Sequence, residues 1–126
     1  MLGNRRGFTL IELLMVVVII GLLVSVLVPK FANSRDKGFQ AAMKADLRNL
    51  ASAQEAYFYD YQSYAASLSA LDFSGSKGVV LSVSEATAGG WSAEASHSNS
   101  PKRCYVFYGT AAPIGSATQE GEIHCS

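Results

Sequence analysis

MLGNRRGFTLIELLMVVVIIGLLVSVLVPK, residues Met1–Lys30, decides the fold. From Phe8 to Val28 it has 21 residues and one charge, Glu12. At helical rise those residues cover about 31 Å, enough to cross a bilayer core. An ordinary secretory signal has a basic start, a shorter apolar core and a small-residue cleavage site after that core. Here the basic pair Arg5-Arg6 and the small residue Gly7 precede the apolar run, and no Ala-x-Ala follows it. Lys30, Arg35 and Lys37 behind the run balance the arginines in front of it, so the positive-inside rule leaves orientation open. The stretch therefore reads as a membrane helix carrying an acid near its start, and an unpaired carboxylate is expensive in hydrocarbon.

A local reason for Glu12 lies three residues back. Thr9-Leu-Ile-Glu12 fits the S/T-x-x-E capping box, in which the threonine caps the helix and the acid returns to the cap backbone. A carboxylate in the first turn also suits the helix dipole.

The wider arrangement is more specific. A short basic leader, Gly7, the aromatic Phe8, an acid at the fifth position after Gly7 and a long apolar run together resemble the processing signal of type IV prepilins and pseudopilins. This resemblance covers about the first quarter of the chain. It implies that a prepilin peptidase cuts between Gly7 and Phe8 on the cytoplasmic side, removes residues 1–7 as a leader, and N-methylates Phe8. Residues 8–29 would remain as a transmembrane and filament-core helix. The new amine on Phe8 would then supply the charge that Glu12 lacks, from a neighbouring subunit or from its own. Capping and pairing are compatible, because a carboxylate accepts more than one hydrogen bond. Gly21 and Pro29 lie where type IV pilins carry helix-weakening residues, and the resemblance implies that the helix between them can lose regularity in a filament. It further implies a single-pass inner-membrane precursor that becomes a homopolymeric surface filament. The other expected partners are an assembly platform in the membrane and a separate ATPase. Lipid is as apolar as leucine, so moving the helix from bilayer to filament gains little hydrophobic energy, and the chain has no P-loop of its own.

Beyond Pro29 the pattern turns amphipathic. Met43, Leu47, Leu50, Gln54, Tyr57, Tyr61 and Tyr64 recur at steps of four and three among helix-favouring alanines, which predicts one helix from Phe8 to about Asp60. Residues 30–62 form its amphipathic half. Residues 63–126 read as a head of three or four short antiparallel strands. They fall at 78–84, at 91–97 (with Trp91, Ala93, Ala95 and His97 on one face), at 104–108 and at 122–125. The class is α+β: a long N-terminal helix with a small sheet packed on its second half. Tyr57-Phe58-Tyr59-Asp60-Tyr61 reads as packing and a turn out of the helix, with a conductive aromatic path as the alternative.

Cys104 and Cys125, an even count behind an apparent export signal, read as one disulfide or as two unrelated thiols. Closing such a loop stabilises by roughly 3 kcal/mol in the chain-entropy picture. The bracketed end also resembles that of type IV pilins, and we read a loop rich in Ala, Gly and Pro between the last two strands. Formal net charge is zero, which disfavours a nucleic-acid partner. No G-x-S-x-G, H-E-x-x-H or CxxC is present, so no enzyme, cofactor or metal is expected. His97 and His124 with Glu120 and Glu122 lack a fixed ligand spacing, and Lys102-Arg103 reads as a solvated turn. The leading expectation is a pilus subunit for adhesion, motility or DNA uptake. Its alternatives are a type II secretion pseudopilin and a minor pilin that binds DNA or a surface.

Overall fold

A computed structural model describes Gly3 and residues 7–126; Arg5 and Arg6 of the expected leader lie outside the described residues. One helix, α1, runs over Leu10–Tyr61, within a residue or two of its expected bounds. Its start follows the capping box, and it stays helical through Gly21, Pro29 and Gly38. It ends where Gln62 takes a left-handed backbone (φ 56°) and its N–H donates to the Phe58 carbonyl at 2.8 Å. That position usually selects glycine, so the stop carries no glycine signal in the sequence.

The chain divides into two compact units between Arg35 and Asp36, with α1 contributing to both. In the first unit every helical residue is exposed, and the helix is long and apolar enough to cross a membrane. In the second, α1 packs on a four-stranded antiparallel sheet of order β1-β2-β3-β4. The strands are β1 (Val79–Ala86), β2 (Gly90–His97), β3 (Arg103–Gly109) and β4 (His124–Cys125). The register pairs Ala93 with Val83 on one side and with Val106 on the other, and a bulge interrupts β1 between Val83 and Glu85. Gly109 closes the β2–β3 ladder at φ 65°, where a Cβ would run into the Gly89 carbonyl.

Met43, Leu47 and Leu50 of α1 bury fully against Leu81, Trp91, Ala93, Ala95, Cys104 and Val106. On β2, Trp91, Ala93 and Ala95 bury in this core and His97, the fourth residue of the expected face, is half-buried, while Ser92 on the other face is buried as well. The two alanines add little bulk beneath the helix, and Trp91 supplies the volume at the strand's start. Cys104 and Cys125 form a disulfide that ties β4 to β3.

One expectation needs correction. The buried stripe on α1 stops at Gln54: Tyr61 is 66% exposed, while Tyr64, past the helix end, packs half-buried against the core. The rings there also pack on one another, Tyr57 with Tyr61 at 4.5 Å and Phe58 with Tyr64 at 4.8 Å. The stretch between β3 and β4 is a loop, as expected, folded down as a flap. Ala111 and Ala117 bury with Phe107 against Tyr105 and Ile114, a second small core on the face of β3 opposite Cys104 and Val106.

Candidate functional site

The N-terminal end of α1 carries the first group of interest. The Thr9 N–H donates to Glu12 Oε2 at 2.9 Å, and the Glu12 N–H donates to Thr9 Oγ1 at 3.2 Å, so both halves of the capping box form. Only one carboxylate oxygen is used; among the described residues nothing donates to Oε1. Phe8 is 91% exposed in open chain immediately before this cap. A Cβ built on Gly7 or on Gly21 meets no atom within 4 Å, so packing inside the chain does not demand glycine at either position. Further along, the Ser25 hydroxyl donates to the Leu22 carbonyl at 2.7 Å, which satisfies that polar group within the apolar run. Pro29 lacks the N–H that would otherwise bond the Ser25 carbonyl one turn back.

The second half of α1 holds the head through polar side chains as well as the apolar stripe. Buried Asp46 accepts the Ser76 N–H at 2.7 Å and the Ser76 hydroxyl at 2.8 Å. Gln54 donates to the Ala65 carbonyl at 2.9 Å and accepts the Ala65 N–H at 2.8 Å. Asp36 accepts from the Ser100 hydroxyl and from Gln40. The Ser100 hydrogen bond holds the Asp36 carboxyl below its usual range; Gln40 and Lys102 act in the same direction, and desolvation opposes them. Each pair pins one connection of the head to one position on the helix: 97–102 by Asp36, 72–78 by Asp46, and the exit from α1 by Gln54.

Residues 2–28 match the family described as the prokaryotic N-terminal methylation motif. The type IV wide pilus major component PilA4 of Thermus thermophilus is 36% identical over 99 residues, covering 75% of this chain and 76% of that protein. The chain belongs to the type IV pilin and pseudopilin family.

Two further relatives bracket it. The type IV major pilin protein PilA of Myxococcus xanthus is 36% identical over 75 residues, 60% of this chain and 34% of that protein. The type II secretion system core protein G of Klebsiella michiganensis is 38% identical over 61 residues, 48% of this chain and 43% of that protein. The chain thus spans three quarters of the Thermus protein but under half of each of the other two. It is a pilin- or pseudopilin-type structural subunit with an α+β fold, and its relatives are named for filaments and a secretion apparatus rather than for catalysis.

In this pilin-family chain His97 ends β2 and His124 begins β4. His97 stacks on Phe39 of α1 with ring centroids 4.2 Å apart, and its Nδ1 accepts the Asn99 N–H at 3.0 Å. His124 is exposed on β4, and no cluster of three metal-ligating side chains occurs among the described residues. Glu120 accepts the Gly109 N–H at 2.7 Å, a structural task. Arg103 pairs with Glu94 across strands at 3.6 Å, and Lys102 lies exposed beside it. Asp46 and Gln54 are the positioning residues that hold the head, and Asp46 was missed by the sequence reading. Its partner lies 30 residues away, and a lone aspartate on a helix reads as solvated.

Proposed function

We propose that the mature chain, cut between Gly7 and Phe8 and methylated on Phe8, polymerises through its N-terminal helix into a type IV pilus. The observation that carries this reading is the reach of the Thermus match. A match to 75% of a chain of 126 residues takes in roughly residues 32–95 wherever it begins, and so includes β1 and most of β2. The 61-residue match to secretion protein G is short enough to fit within the N-terminal region. A head shared with a pilus major component favours the pilus over the secretion piston. The pseudopilin reading keeps the specific support of that second match and is the alternative. A minor pilin that captures DNA has less: the chain carries no basic excess of the kind phosphate binding calls for.

In this reading Glu12 sets the register. One of its oxygens caps its own helix, and the other accepts from the Phe8 amine of a neighbouring copy. Gly21 and Pro29 mark where the helix can stretch. The chain waits in the inner membrane until an assembly platform and a separate ATPase extract it, because leaving lipid for a filament yields little free energy. Mass spectrometry of the mature N-terminus, with electron microscopy of sheared surface material, tests the proposal. The expected result is N-methylated Phe8 in long surface fibres; processed chain found only in short periplasmic assemblies would favour the pseudopilin.

A further inference from the structure

The second unit presents two grooves on opposite flanks of α1. Lys44 and Arg48, one turn apart and on one stripe, line a groove whose other wall is Tyr108 and the Gly121–Ile123 end of the flap. Burial, with Glu55 nearby, pushes the Tyr108 hydroxyl above its usual range, and Arg48 opposes that shift. On the other flank, Ala53 and Ala56 floor a second groove, walled by Tyr57 and Tyr61 and carrying exposed Asp60. At about 100° per residue, Asp60 lies roughly 120–160° round the helix from Arg48 and Lys44. It is also twelve residues beyond Arg48, about 18 Å along the axis.

Among the described residues the one ion pair is Arg103 with Glu94, so Lys44, Arg48 and Asp60 have no opposite charge within 4.0 Å. Glu122, on the flap side of the basic groove, also stays beyond that distance. The imbalance is regional. From Lys30 to Arg48 there are five basic and two acidic residues, and from Ala51 to Ser126 three basic and seven acidic. Opposite charges on opposite flanks of one helix, offset along it, cannot meet in one molecule. They can meet between two copies.

We infer that Lys44 and Arg48 of one copy receive Asp60 of the next, so that the basic flank of α1 docks into the small-floored acidic flank of a neighbour. The occupant is a second copy of this chain because both halves of the complementarity, Lys44 with Arg48 and Asp60, are on this chain. Such a contact is heterologous, each copy using a different face, and heterologous contacts that do not close generate open helical assemblies. The inference rests on the polymerisation proposed above and adds a lateral contact between heads. The alanine floor lets a neighbouring side chain approach closely, and the Tyr57 and Tyr61 rings flank the entering base, where a cation gains from the ring faces.

Charge exchange tests it in the full chain expressed in cells. Arg48→Glu or Asp60→Arg alone should lower sheared filament yield by roughly tenfold, since each places like charges together at every subunit contact. The combined Arg48→Glu and Asp60→Arg chain should recover most of that yield. Independently, the paired Arg48→Cys and Asp60→Cys chain should give a ladder of disulfide-linked multimers within filaments, and neither single cysteine should. The new thiols are too far apart to bond within one copy, and the native cysteines are already joined as Cys104–Cys125. Wild-type chain that makes no filaments would defeat the polymerisation reading itself. Wild-type filaments with normal yield from Arg48→Glu, or paired-cysteine filaments without a ladder, would overturn the docking contact and leave polymerisation standing. Loss without recovery in the exchanged chain would also overturn it.

Discussion

The two stretches of α1, Leu10–Arg35 and Asp36–Tyr61, share one secondary structure and differ in who supplies the partners. In the second stretch Met43, Leu47 and Leu50 are fully buried by the chain's own sheet, and Asp36, Asp46 and Gln54 find their hydrogen bonds there. In the first, all residues are exposed, although most are apolar. Helix formation alone therefore says nothing about completeness. The first stretch needs a bilayer or other copies before its surface is satisfied, whereas the second is finished on folding. Glu12 belongs to the unfinished part: it has its local cap but only half its capacity in use.

The sharpest way to break this contrast is at Glu12, where capping and pairing separate chemically. Glutamine fits the capping box as well as glutamate but carries no charge. Glu12→Gln should keep the helix and lose the filaments, with yield down roughly a hundredfold or more, because stranding one member of a buried ion pair costs about 3–5 kcal/mol. Thr9→Ala is the converse, removing a cap worth about 1 kcal/mol while leaving the carboxylate, and it should still assemble. Microscopy and yield of sheared fibres report both. Normal fibres from Glu12→Gln together with failure of Thr9→Ala would hand the role back to the cap.

A second, somewhat smaller effect compares matched leucines. Leu47→Ala empties a fully buried site and should cost the head about 2–5 kcal/mol. Leu14→Ala, at a site 61% exposed, should shift the same transition by no more than about 0.5 kcal/mol. Denaturant unfolding in detergent, followed by near-ultraviolet circular dichroism of the single buried tryptophan, Trp91, measures each. Equal shifts would mean that the two stretches unfold as one cooperative unit.

What could be read in advance follows the same division. The helix, its capping box, the Met43–Leu47–Leu50–Gln54 stripe and the Trp91–Ala93–Ala95 face of β2 were legible because each is a local period or spacing. Three features were not. Asp46 is buried by a partner 30 residues away, which no local pattern carries. Gln62 ends the helix in a backbone state that normally advertises itself through glycine. The flap packs through Ala111 and Ala117, and alanine in a loop gives no hydrophobic period to follow. At the N-terminus the case is different. On the reading proposed above, the partner for Glu12 is an amine on Phe8 that cleavage would create, a group that no side-chain pattern writes into the sequence.

The smallest effect concerns acid, and it isolates one clamp of the finished stretch. Asp36 has a folded pKa held below the 3.8 of a free aspartate, chiefly by the Ser100 hydroxyl. The folded state therefore binds that proton less tightly than the unfolded state does. Stability from this group is present in full above pH 3.8 and is lost as pH falls through the lower folded value. Above pH 5 the thermal midpoints of wild type and Ser100→Ala should run parallel. Below pH 4 they should converge, because protonation removes from the wild type what the substitution has already removed. A constant gap from pH 7 to pH 2 would mean that Ser100 holds the 97–102 turn by packing, with the Asp36 charge playing no part.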